Sequence, residues 1–285
     1  MTPAEFDFII VGSGFGGSVS ALRLAEKGYS VAVIERGKRY RNEDFPKTNW
    51  NVRKFLWAPK IFCYGIQAIT FLRDVMLLHG AGVGGGSLVY ANTLLIPPDK
   101  VFENPSWRHL GNWKQNLSPH YDTAQRMLGV VTAECQGETD RMMLNIAKEM
   151  GRGDTFHATE VGVFFGESGK TVPDPFFGGK GPARTGCTLC GGCLVGCRHG
   201  ARNTLDKNYL FLAERLGVQI IPETEVLDIR EHPDGGYDVD TARITDFLVN
   251  RKRTFHSRGI VMSAGVLGTV PARLRQGGSC DNPCS

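Results

Sequence analysis

The sequence lacks any uninterrupted apolar stretch of the about 20 residues that a membrane-spanning helix needs. The apolar run near the N-terminus is only as long as a strand, follows no basic region and precedes no small-residue cleavage site. These features do not match a secretory signal peptide. From these absences we expect a soluble protein of the cytoplasm.

Strong charge is lacking as well. The formal net charge of +4 is small, and the sequence has neither a basic block nor a DNA- or RNA-binding motif. We therefore expect no nucleic-acid partner. With 41% hydrophobic and 22% charged residues, the 285-residue chain has a globular composition and is long enough for one large domain or two ordinary ones.

Glycine, by contrast, is abundant, with 36 residues, and its first cluster follows a short apolar run. Residues 6–37 read FDFIIVGSGFGGSVSALRLAEKGYSVAVIERG. The run Phe8–Val11 is rich in β-branched residues and predicts a buried parallel strand. An amphipathic pattern then continues to Gly28, and a second strand is predicted at Ser30–Ile34. The order strand, helix, strand predicts an α/β fold with a parallel sheet and flanking helices.

The glycines of this segment form the pattern G-x-G-x-x-G at Gly12, Gly14 and Gly17. Gly12 permits the tight turn, Gly14 lets a pyrophosphate approach the backbone, and Gly17 lets the helix pack closely on the sheet. Glu35, at the end of the second strand, is placed to accept hydrogen bonds from an adenosine ribose. Its charge disfavours a 2′-phosphate, so the pattern favours FAD or NAD over NADP. The candidate cofactor-binding residues here are Gly12, Ser13, Gly14, Phe15, Gly16, Gly17, Glu35 and Arg36.

A second glycine cluster lies in HGAGVGGGSLVYAN, residues 79–92. Its five glycines would weaken a helix or a strand. They suit a backbone that runs very close to a flat or phosphorylated ligand, and Ser87 could cap the next segment or bond a phosphate.

Together, the first cluster with Glu35 and the run GVGGGSLVYAN resemble the glucose–methanol–choline (GMC) family of FAD-dependent oxidoreductases, and in particular its bacterial cholesterol-oxidase-like subgroup. The resemblance implies a Rossmann-like FAD-binding domain with part of a second, substrate-covering domain. The chain has Tyr90 where members of that subgroup carry Asn, which weakens cholesterol itself as the expected substrate. The resemblance adds these candidate cofactor-binding residues: Val83, Gly84, Gly85, Gly86, Ser87, Asn92, Val226, Ala264 and Gly265.

The resemblance also implies a domain division and an activity. Residues 1–97 and 205–275 would form the FAD-binding domain, residues 98–204 part of the substrate domain, and residues 276–285 an atypical tail. The implied reaction is oxidation of a CH–OH group of a small alcohol, such as a sterol, by hydride transfer to flavin. The family's catalytic histidine lies in a C-terminal part that this chain does not match, so no catalytic residue is assigned and the chain by itself is expected to be inactive.

A cysteine cluster, GCTLCGGCLVGCRHG at residues 186–200, has the spacing C-x2-C-x2-C-x3-C. The spacing of Cys187, Cys190, Cys193 and Cys197 matches the bacterial ferredoxin run, although Arg198 replaces the usual proline. One iron–sulfur cluster, one zinc ion, and metal-free thiols or a disulfide-stapled loop all remain open. A cluster would imply an electron acceptor. The alternative to an oxidoreductase is a non-catalytic FAD-binding or iron–sulfur electron-transfer remnant.

Other segments give weaker signals. Residues 55–78 mix aromatic and aliphatic residues with charges, and are interpreted either as a segment packed on its own domain or as a lid that touches a membrane surface transiently. A helix is predicted from Ser118 as N-cap with Pro119 in the first turn, and another after Thr204. Asn203 and Asn208 are interpreted as surface residues in preference to flavin neighbours.

Overall fold

A computed structural model of the protein describes residues 5–233, 235–246 and 251–269. The strands are β1 Phe6–Val11, β2 Val31–Ile34, β3 Trp57–Ala58, β4 Cys63–Tyr64, β5 Gln67–Phe71, β6 Met76–Gly80, β7 Val131–Thr132, β8 Glu160–Val161, β9 Thr171–Val172, β10 Arg184–Thr185, β11 Gln219–Ile221, β12 Thr224–Glu231, β13 Tyr237–Arg243 and β14 Lys252–Met262. The α-helices are α1 Phe15–Glu26, α2 Val52–Phe55, α3 Asp99–Phe102, α4 Trp113–Met127, α5 Glu138–Glu149 and α6 Tyr209–Arg215. Residues 265–269 are also helical.

A six-stranded sheet with the order β11-β2-β1-β14-β13-β12 forms the centre of the fold. The pairs β11–β2, β2–β1 and β1–β14 are parallel, whereas β14–β13 and β13–β12 are antiparallel. Helix α1 connects the parallel neighbours β1 and β2 and packs against α6. The fold is therefore the predicted Rossmann-like α/β fold, with strands drawn from both ends of the described chain.

Strand β14 takes part in two kinds of pairing. Its first half pairs with β13 in antiparallel register, down to the pair Tyr237 and Ser257. From Ser257 onward it pairs with β1 in parallel register, from Phe6 opposite Ser257 to Val11 opposite Met262. One continuous strand thus joins the antiparallel part of the sheet to the parallel part.

The apolar core lies on both faces of this sheet, because side chains alternate along each strand. Ile10 and Val33 pack on one face with Leu22 of α1 and Leu210 of α6. Ile9 and its neighbours pack on the other face with side chains of the antiparallel strands. Each fully buried aliphatic side chain contributes about 1.5–3 kcal/mol relative to its exposed form. The core therefore fixes the end of β1, where the first glycine cluster begins.

The prediction for α4 was wrong at its start. The helix begins at Trp113, five residues before Ser118, and Pro119 lies inside it. Asn112 is the N-cap, and its side-chain oxygen accepts a hydrogen bond from the Gln115 N–H at 3.2 Å. A good cap upstream thus extends the helix past the proline, although a proline inside a helix removes one backbone hydrogen bond.

The cap of α6 was also mispredicted. A single 3-10 turn, Leu205–Lys207, follows Thr204, and the α-helix begins only at Tyr209. Asn208 caps it, with its side-chain oxygen accepting from the Tyr209 N–H at 2.6 Å. Strands β11 and β12 lie on either side of Pro222.

The segment from 55 to 80 forms two short antiparallel ribbons, β3–β4 and β5–β6. Trp57 and Ala68 are buried and pack with Ala81, so this end of the segment packs on its own domain. Within the described residues, no helix is both long and apolar enough to cross a membrane. The predicted domain division, and the cytoplasm as the compartment, stay predictions. The tail 276–285 and most of the helix predicted after Gly268 lie outside the described residues.

Candidate functional site

The turn after β1 is built from glycines that have no room for a side chain. Gly12 has a φ of +95°, and a Cβ there would lie 2.7 Å from the Ser263 carbonyl oxygen. A Cβ on Gly17 would lie 1.9 Å from the Gly12 carbonyl oxygen. These two glycines therefore serve the packing of turn, helix and sheet.

Gly14 differs from them, because a Cβ added there would meet no other atom of the protein within 4 Å. Gly14 is the N-cap residue of α1, but no side chain forms a capping hydrogen bond with the first N–H groups of the helix. The first turn of α1 also carries no acidic residue. The first N–H groups of a helix have no partner within the helix, and they favour an anion. The end of α1 is thus open at the point where the sequence predicts a pyrophosphate.

The second glycine cluster lies directly against the first. A Cβ on Gly85 would lie 2.8 Å from the Gly14 Cα atom. Gly84 and Gly85 both have positive φ angles, +107° and +53°, and the 3-10 turn Gly85–Leu88 follows. Residues 12–17 and 82–87 thus form one continuous surface, called here the glycine floor, although about 70 residues separate them in sequence.

Glu35 holds the two halves of the glycine floor together through Ser13. The buried Glu35 carboxylate accepts hydrogen bonds from the Ser13 N–H at 3.0 Å, the Ser13 hydroxyl at 2.7 Å and the Gly37 N–H at 2.8 Å. The Ser13 hydroxyl in turn accepts from the Gly84 N–H at 3.0 Å. A carboxylate has about four lone-pair sites, so Glu35 retains capacity for one more donor, such as a ribose hydroxyl.

The remaining predicted cofactor residues lie around this floor. The Thr224 N–H donates to the Glu35 carbonyl at 3.0 Å, which places the start of β12, and with it Val226, beside Glu35. Val83 is buried and Arg36 is exposed. The Ala264 Cα atom lies 2.9 Å from where a Gly12 Cβ would be, and Gly265 follows it with a φ of +68°.

Ser263 was missed as a site residue by the sequence analysis. Its hydroxyl donates to the carbonyl oxygens of Val11 at 2.9 Å and Gly12 at 3.1 Å. It thereby ties the end of β14 to the glycine turn. The only sequence signal was its position directly before Ala264 and Gly265, at the end of a predicted strand.

Ser87 uses its hydroxyl inside the protein. The group donates to the Gly84 carbonyl at 2.7 Å and accepts from the Leu205 N–H at 3.0 Å.

The surface interpretation of Asn203 and Asn208 is wrong, because only 2% and 1% of these residues is exposed. The segment 203–208 lies against the glycine floor, since the Asp206 backbone nitrogen is 3.6 Å from where a Gly84 Cβ would be. Among the described residues, this segment contains three buried polar atoms without a hydrogen-bond partner in the protein: Thr204 Oγ1, Asp206 Oδ1 and Asn208 Nδ2.

Tyr90 connects the floor to the following loop. Its ring contacts Phe15 edge-on at a centroid distance of 6.3 Å, and its hydroxyl donates to the Asn203 carbonyl at 2.7 Å. The Arg202 guanidinium lies 4.9 Å from the ring centroid. Burial, opposed by the charge of Arg202, raises the pKa of the Tyr90 hydroxyl to about 12, so Tyr90 is a neutral donor at physiological pH.

Two buried arginines fix residues 186–203, called here the cysteine loop. Arg184 donates to the carbonyl oxygens of Gly200 and Ala201, both at 2.9 Å, and to that of Arg202 at 2.7 Å. Arg202 donates to the Cys193 carbonyl and to the Ser87 carbonyl. One guanidinium thus links the cysteine loop directly to the glycine floor.

The four predicted metal ligands line a single cavity of about 230 Å³. Asn92 lines the same cavity, and its side-chain oxygen is buried without a partner in the protein. Burial would raise the pKa of the Cys197 thiol, but N–H groups of the loop backbone, among them those of Arg202 and His199, outweigh burial and lower it. Burial raises the pKa of Cys187. The structure therefore places the four cysteines around one cavity, and the loop backbone lowers the pKa of Cys197.

The spacing of the sulfurs bears on which metal would suit them. In tetrahedral zinc–thiolate sites the sulfurs lie about 3.8 Å apart, as follows from a Zn–S bond of about 2.3 Å. Among the residues the structure describes, no three cysteine sulfurs lie within 4.8 Å of one another. A single zinc ion would therefore require the cysteine loop to close further, whereas a larger iron–sulfur cluster holds its thiolates further apart.

The chain is similar to known proteins along most of its length. The family described as NAD(P)-binding Rossmann-like domain matches residues 10–52. A cholesterol oxidase from Mycobacterium tuberculosis is 56% identical over 270 residues, covering 93% of this chain and 47% of that protein. A cholesterol oxidase from Acinetobacter baumannii is 46% identical over 289 aligned positions, 98% of this chain and 52% of that protein. An uncharacterized GMC-type oxidoreductase of Mycobacterium tuberculosis is 28% identical over 97% of this chain and 40% of its own length.

The chain has homologues among the cholesterol oxidases and the GMC-type oxidoreductases. Two solved structures share its fold at low sequence identity. An FAD-dependent oxidoreductase from Chaetomium thermophilum matches with a TM-score of 0.59 and 20% identity, over 94% of this chain and 47% of that chain. A formate oxidase matches with a TM-score of 0.57 and 17% identity, over 96% and 48%. The chain spans about half the length of the two cholesterol oxidases.

Proposed function

We propose that this chain binds FAD on the glycine floor and is the cofactor-binding part of an alcohol oxidoreductase. The single observation that carries the proposal is the meeting of two distant glycine clusters at the open N-terminus of α1. The buried Glu35 beside them retains one acceptor site for a ribose hydroxyl. FAD would supply the hydride acceptor for oxidation of a CH–OH group.

The chain's own residues would hold this cofactor in three places. The first-turn N–H groups of α1 would receive the pyrophosphate. Glu35 would orient the ribose, and the backbone near Val226 would lie along the adenosine. The buried, unpartnered Asp206 Oδ1 atom lies 3.7 Å from where a Gly84 Cβ would be, on the part of the floor proposed for the flavin end.

The test is direct binding of FAD to the purified 285-residue chain. We expect FAD to co-purify, or to bind the apoprotein with quenching of flavin fluorescence, and to be released on denaturation. NADP would bind far more weakly, because its 2′-phosphate would meet the charge of Glu35. A chain that folds, as judged by circular dichroism, but takes up no FAD would contradict the proposal.

A sterol is the substrate class we propose for the whole protein, on the strength of its similarity to two cholesterol oxidases. No described residue of this chain is proposed as the catalytic base. We therefore expect FAD bound to the 285-residue chain to stay oxidised when cholesterol is added without oxygen. Bleaching of the oxidised flavin absorbance by cholesterol would show that these residues suffice for the reaction.

An iron–sulfur cluster in the cysteine loop is a second candidate feature, which would pass electrons to an external acceptor. It is supported by the cavity that the four cysteines share and by the Arg202 link to Ser87. The test is anaerobic reconstitution, followed by iron and sulfide analysis and by electron paramagnetic resonance. Protein without iron or labile sulfide after reconstitution would leave the loop as a purely structural element.

We also propose transient contact with a lipid surface through the β5–β6 ribbon. Its tip carries apolar side chains that are more than half exposed, including Phe71, Leu72 and Met76, next to the cation Arg73. A sterol substrate would have to be collected from such a surface. Cosedimentation with vesicles should fall when Phe71 and Met76 are both changed to Ser, and equal binding of both proteins would contradict this contact.

A further inference from the structure

Three metal-binding side chains meet at the turn between β12 and β13. His232 directly follows β12, Asp238 lies on β13 and His256 lies on β14. One ligand atom of each lies within 4.8 Å of the other two. Asp238 and His256 are direct cross-strand partners, so the backbone register fixes their separation.

The three side chains are already ordered by contacts with one another. The His256 Nδ1 atom lies 2.8 Å from an Asp238 carboxylate oxygen. The rings of His232 and His256 have their centroids 4.4 Å apart, at an angle of 66°. The backbone N–H of His232 donates to the Gly236 carbonyl at 2.9 Å and so fixes the backbone next to the ring. The side chains of His256 and Asp238 are 16% and 28% exposed, so the group is half-buried but open to a small ion from solvent.

We propose that His232, Asp238 and His256 bind a divalent transition-metal ion such as zinc. Two imidazole nitrogens and one carboxylate oxygen form a donor set that zinc accepts, with water as a fourth ligand. Magnesium and calcium prefer ligand sets made of oxygen atoms, so this set selects against them.

The ligand atoms need only a small adjustment to coordinate an ion. Ligands at about 2.0–2.1 Å from a tetrahedral zinc ion lie about 3.3 Å from one another. The three atoms, all within 4.8 Å, can reach that spacing by side-chain rotation, because the paired strands already hold the backbones. The bound ion would join the end of β12 to β13 and β14.

The site is independent of the proposed cofactor site. His256 precedes Ser263 by seven residues along one extended strand and its end, which corresponds to about 23 Å. Loss of the metal is therefore expected to leave FAD binding on the glycine floor unchanged.

The test is a zinc titration of the 285-residue chain, expressed without a histidine tag and dialysed against a chelator. The thiols are first blocked with iodoacetamide, because the cysteine loop could also take up zinc. Isothermal titration at about neutral pH should show one zinc ion per chain. His232→Asn and His256→Asn should each weaken binding at least tenfold. The exposed His157→Asn is the matched control and should bind like the parent, and magnesium chloride should give no binding.

Two results would overturn the proposal. One is the absence of zinc binding by the folded, thiol-blocked parent, which would leave only the Asp238–His256 hydrogen bond. The other is unchanged binding in both histidine variants. If a variant does not fold, X-ray absorption of zinc bound to the thiol-blocked parent reports the ligands directly. Scattering from two imidazoles is expected, and its absence would also reject the site.

Discussion

At the scale of single residues, the glycines of the first cluster have separable roles. Gly14 has an ordinary backbone conformation, with φ of −70°, and open space where a Cβ would lie. A Cβ on Gly17 would lie 1.9 Å from a backbone oxygen. Alanine at position 14 should therefore affect ligand binding, whereas alanine at position 17 should destabilise the fold.

We expect Gly14→Ala to keep the stability of the parent but to weaken FAD binding at least tenfold, because the methyl group occupies space proposed for the pyrophosphate. Gly17→Ala should lower the free energy of unfolding by about 2 kcal/mol or more, because backbone must move. Thermal unfolding and FAD titration measure the two effects. Normal FAD affinity in Gly14→Ala would place the pyrophosphate elsewhere.

Asp174 gives a residue-scale prediction with a pH dependence. Burial would raise the pKa of its carboxyl, but backbone N–H groups of Phe176, Gly181, Phe177 and Gly179 outweigh burial and lower it below 3.8. A carboxyl whose pKa is lower in the folded than in the unfolded state stabilises the fold fully above the unfolded-state pKa. That contribution is lost as the pH falls through the folded-state pKa.

Asp174→Asn should thus be less stable than the parent at neutral pH, by about 1 kcal/mol, as for the loss of a helix cap. The difference should begin to shrink below about pH 4, near the pKa of aspartate in the unfolded chain, and should be lost as the pH falls through the lower folded-state pKa. Urea unfolding at several pH values measures it. A difference that stays constant down to pH 3 would mean that the charge is not what stabilises the loop.

At the scale of elements, hydrogen bonds from a few polar side chains fix the positions of loops and strand ends that do not pair within the sheet. Arg202 joins the cysteine loop to the glycine floor, and Ser263 joins the end of β14 to the glycine turn. Buried carbonyl groups that lose such a donor are left without a partner, which costs about 1–3 kcal/mol each. These contacts therefore decide whether the loops keep their places.

Arg202→Gln should lower the free energy of unfolding by about 3 kcal/mol, since two buried carbonyl oxygens lose their charged donor. It should also weaken FAD binding, because the Ser87 end of the floor loses its support. Arg198→Gln is the matched control. Arg198 donates to the Pro46 carbonyl at 2.9 Å and is partly exposed, so its loss should cost much less. Equal losses in the two variants would argue against a special role for Arg202.

The local elements could be predicted from the sequence, and the contacts between them could not. The apolar run before Gly12, the amphipathic pattern of α1 and the acid at Glu35 all lie within about 30 residues, and local periodicity describes them. The Ser13–Glu35 bond, the burial of Asn208 and the packing of Gly85 on Gly14 depend on chain segments that meet only in three dimensions. The start of α4 was missed because Pro119 was weighted above the better cap at Asn112.

At the scale of the whole molecule, β14 is the strand on which the sheet depends. It lies between β1 and β13, so its removal would separate the parallel part from the antiparallel part. A chain ending at residue 250 should therefore lose cooperative unfolding and FAD binding. A chain ending at residue 269 should keep both, because every described contact of the glycine floor is still present. Circular dichroism and flavin fluorescence compare the two, and a folded 1–250 chain would show that β14 is dispensable.

The bond from Ser263 to the Val11 carbonyl spans 252 residues of sequence. A growing polypeptide leaves the ribosome from its N-terminus, at about 5–20 residues per second. The glycine turn is thus synthesised early, whereas β14, the strand next to it, is synthesised many seconds later. During that interval β1 has an open edge, which is a hazard for aggregation. The order of synthesis would therefore make the proposed FAD binding a late event, and a chaperone would be most useful to this chain just before β14 emerges.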